Sequence, residues 1–173
     1  MKIRAITTSD VANGPGFRVV VWVAGCKHNC PGCHNPELQD YDTGYELTTE
    51  IKHKIYTELS RPEIQGITFS GGDPLYQTPQ VLNELSNLLI EIKHKFPDKD
   101  IWLYTGFKFE DVINDTYKWR IIDKVDVLVD GPYEEDKRNV MLAFRGSANQ
   151  RIINIKEDGL KWKAKLNSSQ ETH

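Results

Sequence analysis

FRVVVWVA, residues 17–24, runs directly into GCKHNCPGC, residues 25–33, and this junction decides how the chain is read. The first segment is apolar and rich in β-branched residues, the composition of a strand buried on both faces. The second holds every cysteine of the 173-residue chain, Cys26, Cys30 and Cys33, at the spacing CxxxCxxC. A central strand ending in a thiol-bearing loop sets the frame into which the later elements must fit.

Working outward, TTEIKHKIYTELS (48–60) places Ile51, Ile55 and Leu59 four apart behind a threonine N-cap, which predicts an amphipathic helix. ITFS (67–70) reads as a strand. From Thr78, with Pro79 at a first helical position, Val81, Leu82, Leu85, Leu88, Leu89 and Ile92 form one apolar face that stops before Pro97. IWLYT (101–105) predicts a strand, FEDVINDTYKWR (109–120) a shorter helix and VDVLVD (125–130) a further strand. This alternation implies an α/β fold with parallel strands joined by right-handed crossovers. VMLAF (140–144) and RIINI (151–155), separated by GSANQ, predict a hairpin or a pair of edge strands. Eight βα units would need about 200 residues or more, so a complete barrel does not fit, whereas an open partial barrel or a doubly wound sheet does. Residues 1–155 are expected to form one domain, and 156–173 a polar, loosely ordered C-terminal tail.

Composition narrows the function classes. Hydrophobic residues make up 39% and charged residues 27%, and no apolar run approaches a membrane span, so no membrane partner is expected. The N-terminus has no long apolar h-region, which points to a reducing cytoplasm where disulfides are a poor account of the cysteines. A net charge of −3 supplies no basic field for nucleic acid. Three thiolates at this spacing can hold a structural zinc, with His28 or His34 as the fourth ligand, or an iron–sulfur cube with one iron left open to substrate, or can carry thiol redox chemistry. A chain with a core of its own has little need of a zinc staple.

The cysteine loop, SGGDP (70–74), YTG (104–106) and VDG (129–131) each follow a strand, so parallel topology gathers them at one face. CxxxCxxC followed by His34-Asn35, with SGGDP further on, resembles the radical S-adenosylmethionine superfamily. NGPGFR (13–18), GCKHNCPGCHNP (25–36), SGGDPL (70–75), VLVDGPY (127–133) and FRGSANQR (144–151) narrow the resemblance to the activating proteins of anaerobic ribonucleoside-triphosphate reductase, over nearly the whole chain up to Ile155. Phe144 stands where relatives often carry Trp.

The resemblance implies an open partial (β/α) barrel of mainly parallel strands with helices outside. It implies a 4Fe-4S cluster on Cys26, Cys30 and Cys33, with the amino and carboxylate groups of S-adenosylmethionine on the fourth iron. One-electron cleavage of the sulfonium would give a 5′-deoxyadenosyl radical, which takes a hydrogen from a glycine of the large catalytic subunit of the reductase. A low-potential donor such as flavodoxin would supply the electron. Gly32, Cys33 and His34 would lie beside the cofactor, His34 near the adenine, while Gly71 and Gly72 meet the methionine amino group and Asp73 adds a favourable charge. Thr105 and Asp130 would face the cofactor or a cation, although Asp130 also suits a turn or helix cap. Arg145 has the planar fork that grips a carboxylate, with a surface ion pair as the alternative. The specificity of the 13–18 turn within the family implies a place near the site or the partner, with no particular role assigned. Other outcomes are an activase of a different glycyl radical enzyme such as pyruvate formate-lyase, a deazapurine ring contraction, or a zinc-stapled binding module without catalysis. His53 and His94 are expected to be solvated.

Overall fold

The computed structural model describes residues 1–159 and residue 161. Along the chain run β1 (Lys2–Asp10), β2 (Phe17–Val23), β3 (Tyr45–Glu46), α1 (Thr49–Leu59), β4 (Ile64–Gly71), α2 (Pro79–Lys95), β5 (Asp100–Tyr104), α3 (Phe109–Ile113), α4 (Thr116–Ile122), β6 (Val127–Asp130) and β7 (Arg151–Asn154). The strands form one sheet in the order β3-β1-β2-β4-β5-β6-β7. β2, β4, β5 and β6 pair in parallel, whereas β1 and β7 pair antiparallel to β2 and β6. The fold is α/β, as expected.

The pleat decides which face the helices cover. Val19, Val21 and Val23 of β2 share a core with Ile67 and Phe69 of β4 and with Ile101 and Leu103 of β5. Side chains from α1, α2, α3 and α4 join that same core, so these helices stack on one face. The intervening residues, Arg18, Trp22, Ser70 and Tyr104 among them, point to the opposite face. A doubly wound sheet is thereby excluded, since it would carry helices on both.

Local chemistry explains the helices. Thr48 and Thr78 cap α1 and α2 by accepting from the Ile51 and Val81 amides, each at 3.4 Å. α2 buries Leu82, Leu85, Leu88, Leu89 and Ile92, each worth about 1.5–3 kcal/mol when withdrawn from water. Lys93, His94 and Lys95 sit at its negative C-terminal end. His53 and His94 are exposed.

Three expectations are corrected. The helix expected over 109–120 breaks after Ile113, because Asp115 leaves the helix and caps α4 by accepting from the Tyr117 and Lys118 amides. Residues 140–144 form turns, with Val140 and Met141 79% and 86% exposed and Phe144 in the left-handed region at φ 56°. β7 therefore has no hairpin partner there and pairs instead with β6. β1 was not expected at all: within it Ile3 alone is buried, so its apolar periodicity is too weak to read. At the C-terminal end, Ile155–Gly159 form a π-turn with Ile155 and Gly159 buried. The rest of the expected loose tail, Lys161 apart, lies outside the described residues.

Candidate cofactor site

A cavity of about 420 Å³ lies on the helix-free side of the sheet, a size in the range of small-molecule sites. Trp22, Ser70 and Tyr104 contribute its sheet wall, and the loops after the parallel strands close its rim. Cys26, Cys30 and Cys33 all line it. None forms a disulfide, and each is half-buried.

The cysteine loop is coiled by three left-handed residues, Gly25 (φ 98°), Asn29 (φ 51°) and Gly32 (φ 68°). Its start is pinned where the Gly25 and Cys26 amides donate to the Leu38 and Gln39 carbonyls. Burial pushes the Cys26 thiol up to about 11, partly offset by the His28 amide. Burial also raises Cys30, offset by the Tyr133 amide. A metal centre that claims these thiols as thiolates must therefore displace protons.

Gly71 and Gly72 let two loops touch. The Gly72 amide donates to the Val23 carbonyl at 2.7 Å and the Asp73 amide to the Gly25 carbonyl at 2.9 Å. A Cβ on Gly72 would stand 2.6 Å from the Gly25 oxygen and 2.7 Å from that of Leu38. SGGDP is thus stitched beneath the cysteine loop, and its glycines serve close backbone approach.

The other predicted residues divide. Cys33, His34, Gly71, Gly72, Asp73, Thr105 and Arg145 line the cavity. His34 sits with its ring 5.0 Å from that of Tyr133. The Asp73 carboxylate is buried and accepts from Thr105, Gly106, Leu75 and His28. Arg145 donates to the Gln150 carbonyl at 2.9 Å, while its buried Nε has no partner. Gly32 is not on the cavity wall; a Cβ there would meet the Glu135 carboxylate at 2.7 Å. Asp130 lies on a different cavity, where it accepts from the Phe109 amide at 2.7 Å and from the Arg151 guanidinium. Its carboxylate thus serves the first amide of α3 and the ion pair with Arg151, across a separation of 21 residues.

Two motifs now have structural accounts. In NGPGFR, Arg18 is fully buried and donates to Pro15, while Thr68 Oγ1 donates to the Asn13 carbonyl, so the turn is bolted over the sheet with Asn13 on the cavity wall. In FRGSANQR, Gln150 accepts from the Gly146 and Ser147 amides and donates to Gly131, docking the loop onto the turn after β6. The inward position of His28 was missed. Its place in the cysteine loop marked it only as an optional zinc ligand.

Residues 12–153 match a family described as a 4Fe-4S single cluster domain. The chain is 43% identical over 152 residues to the anaerobic ribonucleoside-triphosphate reductase-activating protein of Enterobacteria phage T4, covering 88% of this chain and 93% of that protein. It is 38% identical over 149 residues to the protein of that name from Salmonella typhimurium and 36% over 149 residues to that from Escherichia coli K12, each match covering 85% of this chain and 94% of the relative. The chain belongs to the family of anaerobic ribonucleoside-triphosphate reductase-activating proteins.

For a member of this family the donor set is informative. Three unpaired thiols line one cavity together with the orphaned buried Nε of Arg145, which fits an iron–sulfur cluster beside an anionic small molecule. Among the described residues, no group of three or more His, Cys, Asp or Glu side chains is already gathered around a single point as a metal ion would need. Nor is any described helix long and apolar enough to cross a membrane.

Proposed function

We propose that the chain is a radical S-adenosylmethionine activase of anaerobic ribonucleoside-triphosphate reductase, built as an open partial barrel and acting in the cytoplasm. The observation that carries this reading is the meeting of Cys26, Cys30, Cys33, Gly71, Gly72 and Arg145 on one cavity. The cysteines would hold a 4Fe-4S cluster and leave one iron for S-adenosylmethionine. When bound, this pair supplies one-electron cleavage of the sulfonium and, from it, a glycyl radical on the large reductase subunit.

The chain's own residues orient and shield. Gly71 and Gly72 let the SGGDP backbone pack against the cysteine loop and stand on the cavity wall, where it would meet the cofactor. Arg145, with an unpartnered Nε, offers a donor to the methionine carboxylate, and the charge assistance makes that bond about twice as strong as a neutral one. Thr105 donates to Asp73 and so holds that carboxylate on the wall. His34 and Tyr133 offer ring faces to the adenine. A low-potential donor such as flavodoxin would deliver the electron.

The test is anaerobic reconstitution, followed by iron and zinc analysis and by paramagnetic resonance of the reduced protein with and without S-adenosylmethionine. Four irons per chain and a spectrum that moves on adding the cofactor are expected. Adding the large reductase subunit should then yield an organic radical on that subunit. Tight zinc without iron uptake would overturn the reading.

A further inference from the structure

His28 sits between two cluster cysteines, yet its side chain reaches across to a different loop. Lys27 and Asn29 on either side are exposed, whereas the His28 side chain is 16% exposed and turns inward. Its Nε2 lies 2.7 Å from Asp73 Oδ2. The same carboxylate accepts from Thr105 Oγ1 at 2.9 Å, from the Gly106 amide at 2.9 Å and from the Leu75 amide at 2.8 Å. With these hydroxyl and amide donors already on the carboxylate, the contact assigns the Nε2–H tautomer to His28, whose ring joins them as a further donor.

Packing makes the seat specific. The imidazole lies edge-on to Tyr76 and Phe107, with ring centroids at 4.9 and 4.6 Å. It occupies the space that any side chain on Gly106 would need, since a Cβ there would come within 2.5 Å of the ring. The contact therefore ties together the loops that follow β2, β4 and β5.

We propose that His28 is a positioning residue: through Asp73 it fixes the cysteine loop against the loops after β4 and β5 and sets where the thiols stand relative to the Gly71–Gly72 backbone. The proposal rests on the cofactor reading of the cavity and deepens it. Asp73 then acts on the cofactor through the loops it joins, its carboxylate being occupied by donors from the chain itself. Partners that orient ligand-bearing groups in this way are typically worth tenfold to a hundredfold in affinity or activity.

The experiment compares wild-type protein, His28→Phe, which keeps an aromatic ring and loses the donor, and His28→Gln, whose amide can replace Nε2. In metal-free protein, hydrogen exchange should rise over residues 26–33 and at the Gly106 amide in His28→Phe and return toward wild type in His28→Gln. After reconstitution, His28→Phe should load iron as wild type does but need at least tenfold more S-adenosylmethionine to shift the spectrum, with His28→Gln restoring most of the affinity. Equal exchange and equal affinity in wild type and His28→Phe would overturn the proposal. So would a His28→Gln protein as defective as His28→Phe, since packing alone would then explain both. Loss of iron from His28→Phe with the loop still ordered would make His28 a ligand and also overturn it. If His28→Phe fails to melt cooperatively, His28→Gln against His28→Asn carries the comparison, the shorter amide falling short of Asp73. Wild-type protein that takes up no iron would overturn the cofactor reading instead, and the exchange data on metal-free protein still decide whether His28 holds the loop.

Discussion

Arg18 and Asp100 meet at 2.6 Å on the helix-free side of the sheet, the arginine side chain fully withdrawn from solvent and the aspartate 29% exposed. The same guanidinium donates to Thr68 Oγ1 at 2.8 Å and to the Ile67 carbonyl at 3.0 Å, and lies 5.4 Å from the Trp102 ring centre. Its partners come from β4, β5 and the 13–16 turn, so one side chain ties these elements together on the helix-free side of the sheet.

Arg18→Ala should cost about 3–5 kcal/mol, because it strips partners from a buried ionic network and leaves a void. Arg18→Lys should recover only part of this, since an ammonium cannot reproduce the planar fork. Urea unfolding of the metal-free protein measures both. A loss below 1 kcal/mol for Arg18→Ala would refute the assignment.

Gly72→Ala is a test of loop stitching. The added methyl meets two backbone oxygens that cannot both withdraw, so overpacking of about 1–3 kcal/mol is expected. The larger effect should fall on the cofactor, because relief requires the cysteine loop to lift away from SGGDP. Calorimetric titration with S-adenosylmethionine should show weaker binding than the stability loss alone would explain.

Cys30→Ala separates a cluster from a staple. The three thiols lie outside the apolar core, so the metal-free variant should unfold within about 0.5 kcal/mol of wild type. Retention of iron after anaerobic desalting should be lost. An unfolded Cys30→Ala protein would restore the structural-metal reading.

Glu110 sets a modest acid dependence. Its carboxylate takes a two-pronged bond from Arg151, at 3.0 and 2.8 Å, and that bond holds it below the usual carboxylate range. A depressed folded value means that the stabilisation is present above the unfolded value of about 4.3 and is lost as pH falls through the folded one. Because the Glu110 side chain is 41% exposed, Glu110→Gln should cost no more than about 1 kcal/mol at pH 7. The difference from wild type should close as pH falls below 4, as followed by denaturant titration across pH 3–7.

The sequence by itself determined the α/β class, the parallel strands β2, β4, β5 and β6, and the run of α2, because short apolar runs and a 3.6-residue apolar period are written in local order. It also determined the metal-capable thiols, since a donor set is a matter of residue type and spacing. Tertiary structure alone decided that the helices crowd one face, leaving the other for a cavity. It decided that Asp130 meets Arg151 and the Phe109 amide on a separate cavity rather than the cysteine-lined one. The misread 140–144 segment belongs here too: its apolar residues satisfy a strand pattern, but Leu142 and Phe144 line the cavity while Val140 and Met141 face solvent. His28 is the sharpest case. Its residue type and position were plain, but the carboxylate that gives it purpose is 45 residues away, and only folding brings the two together.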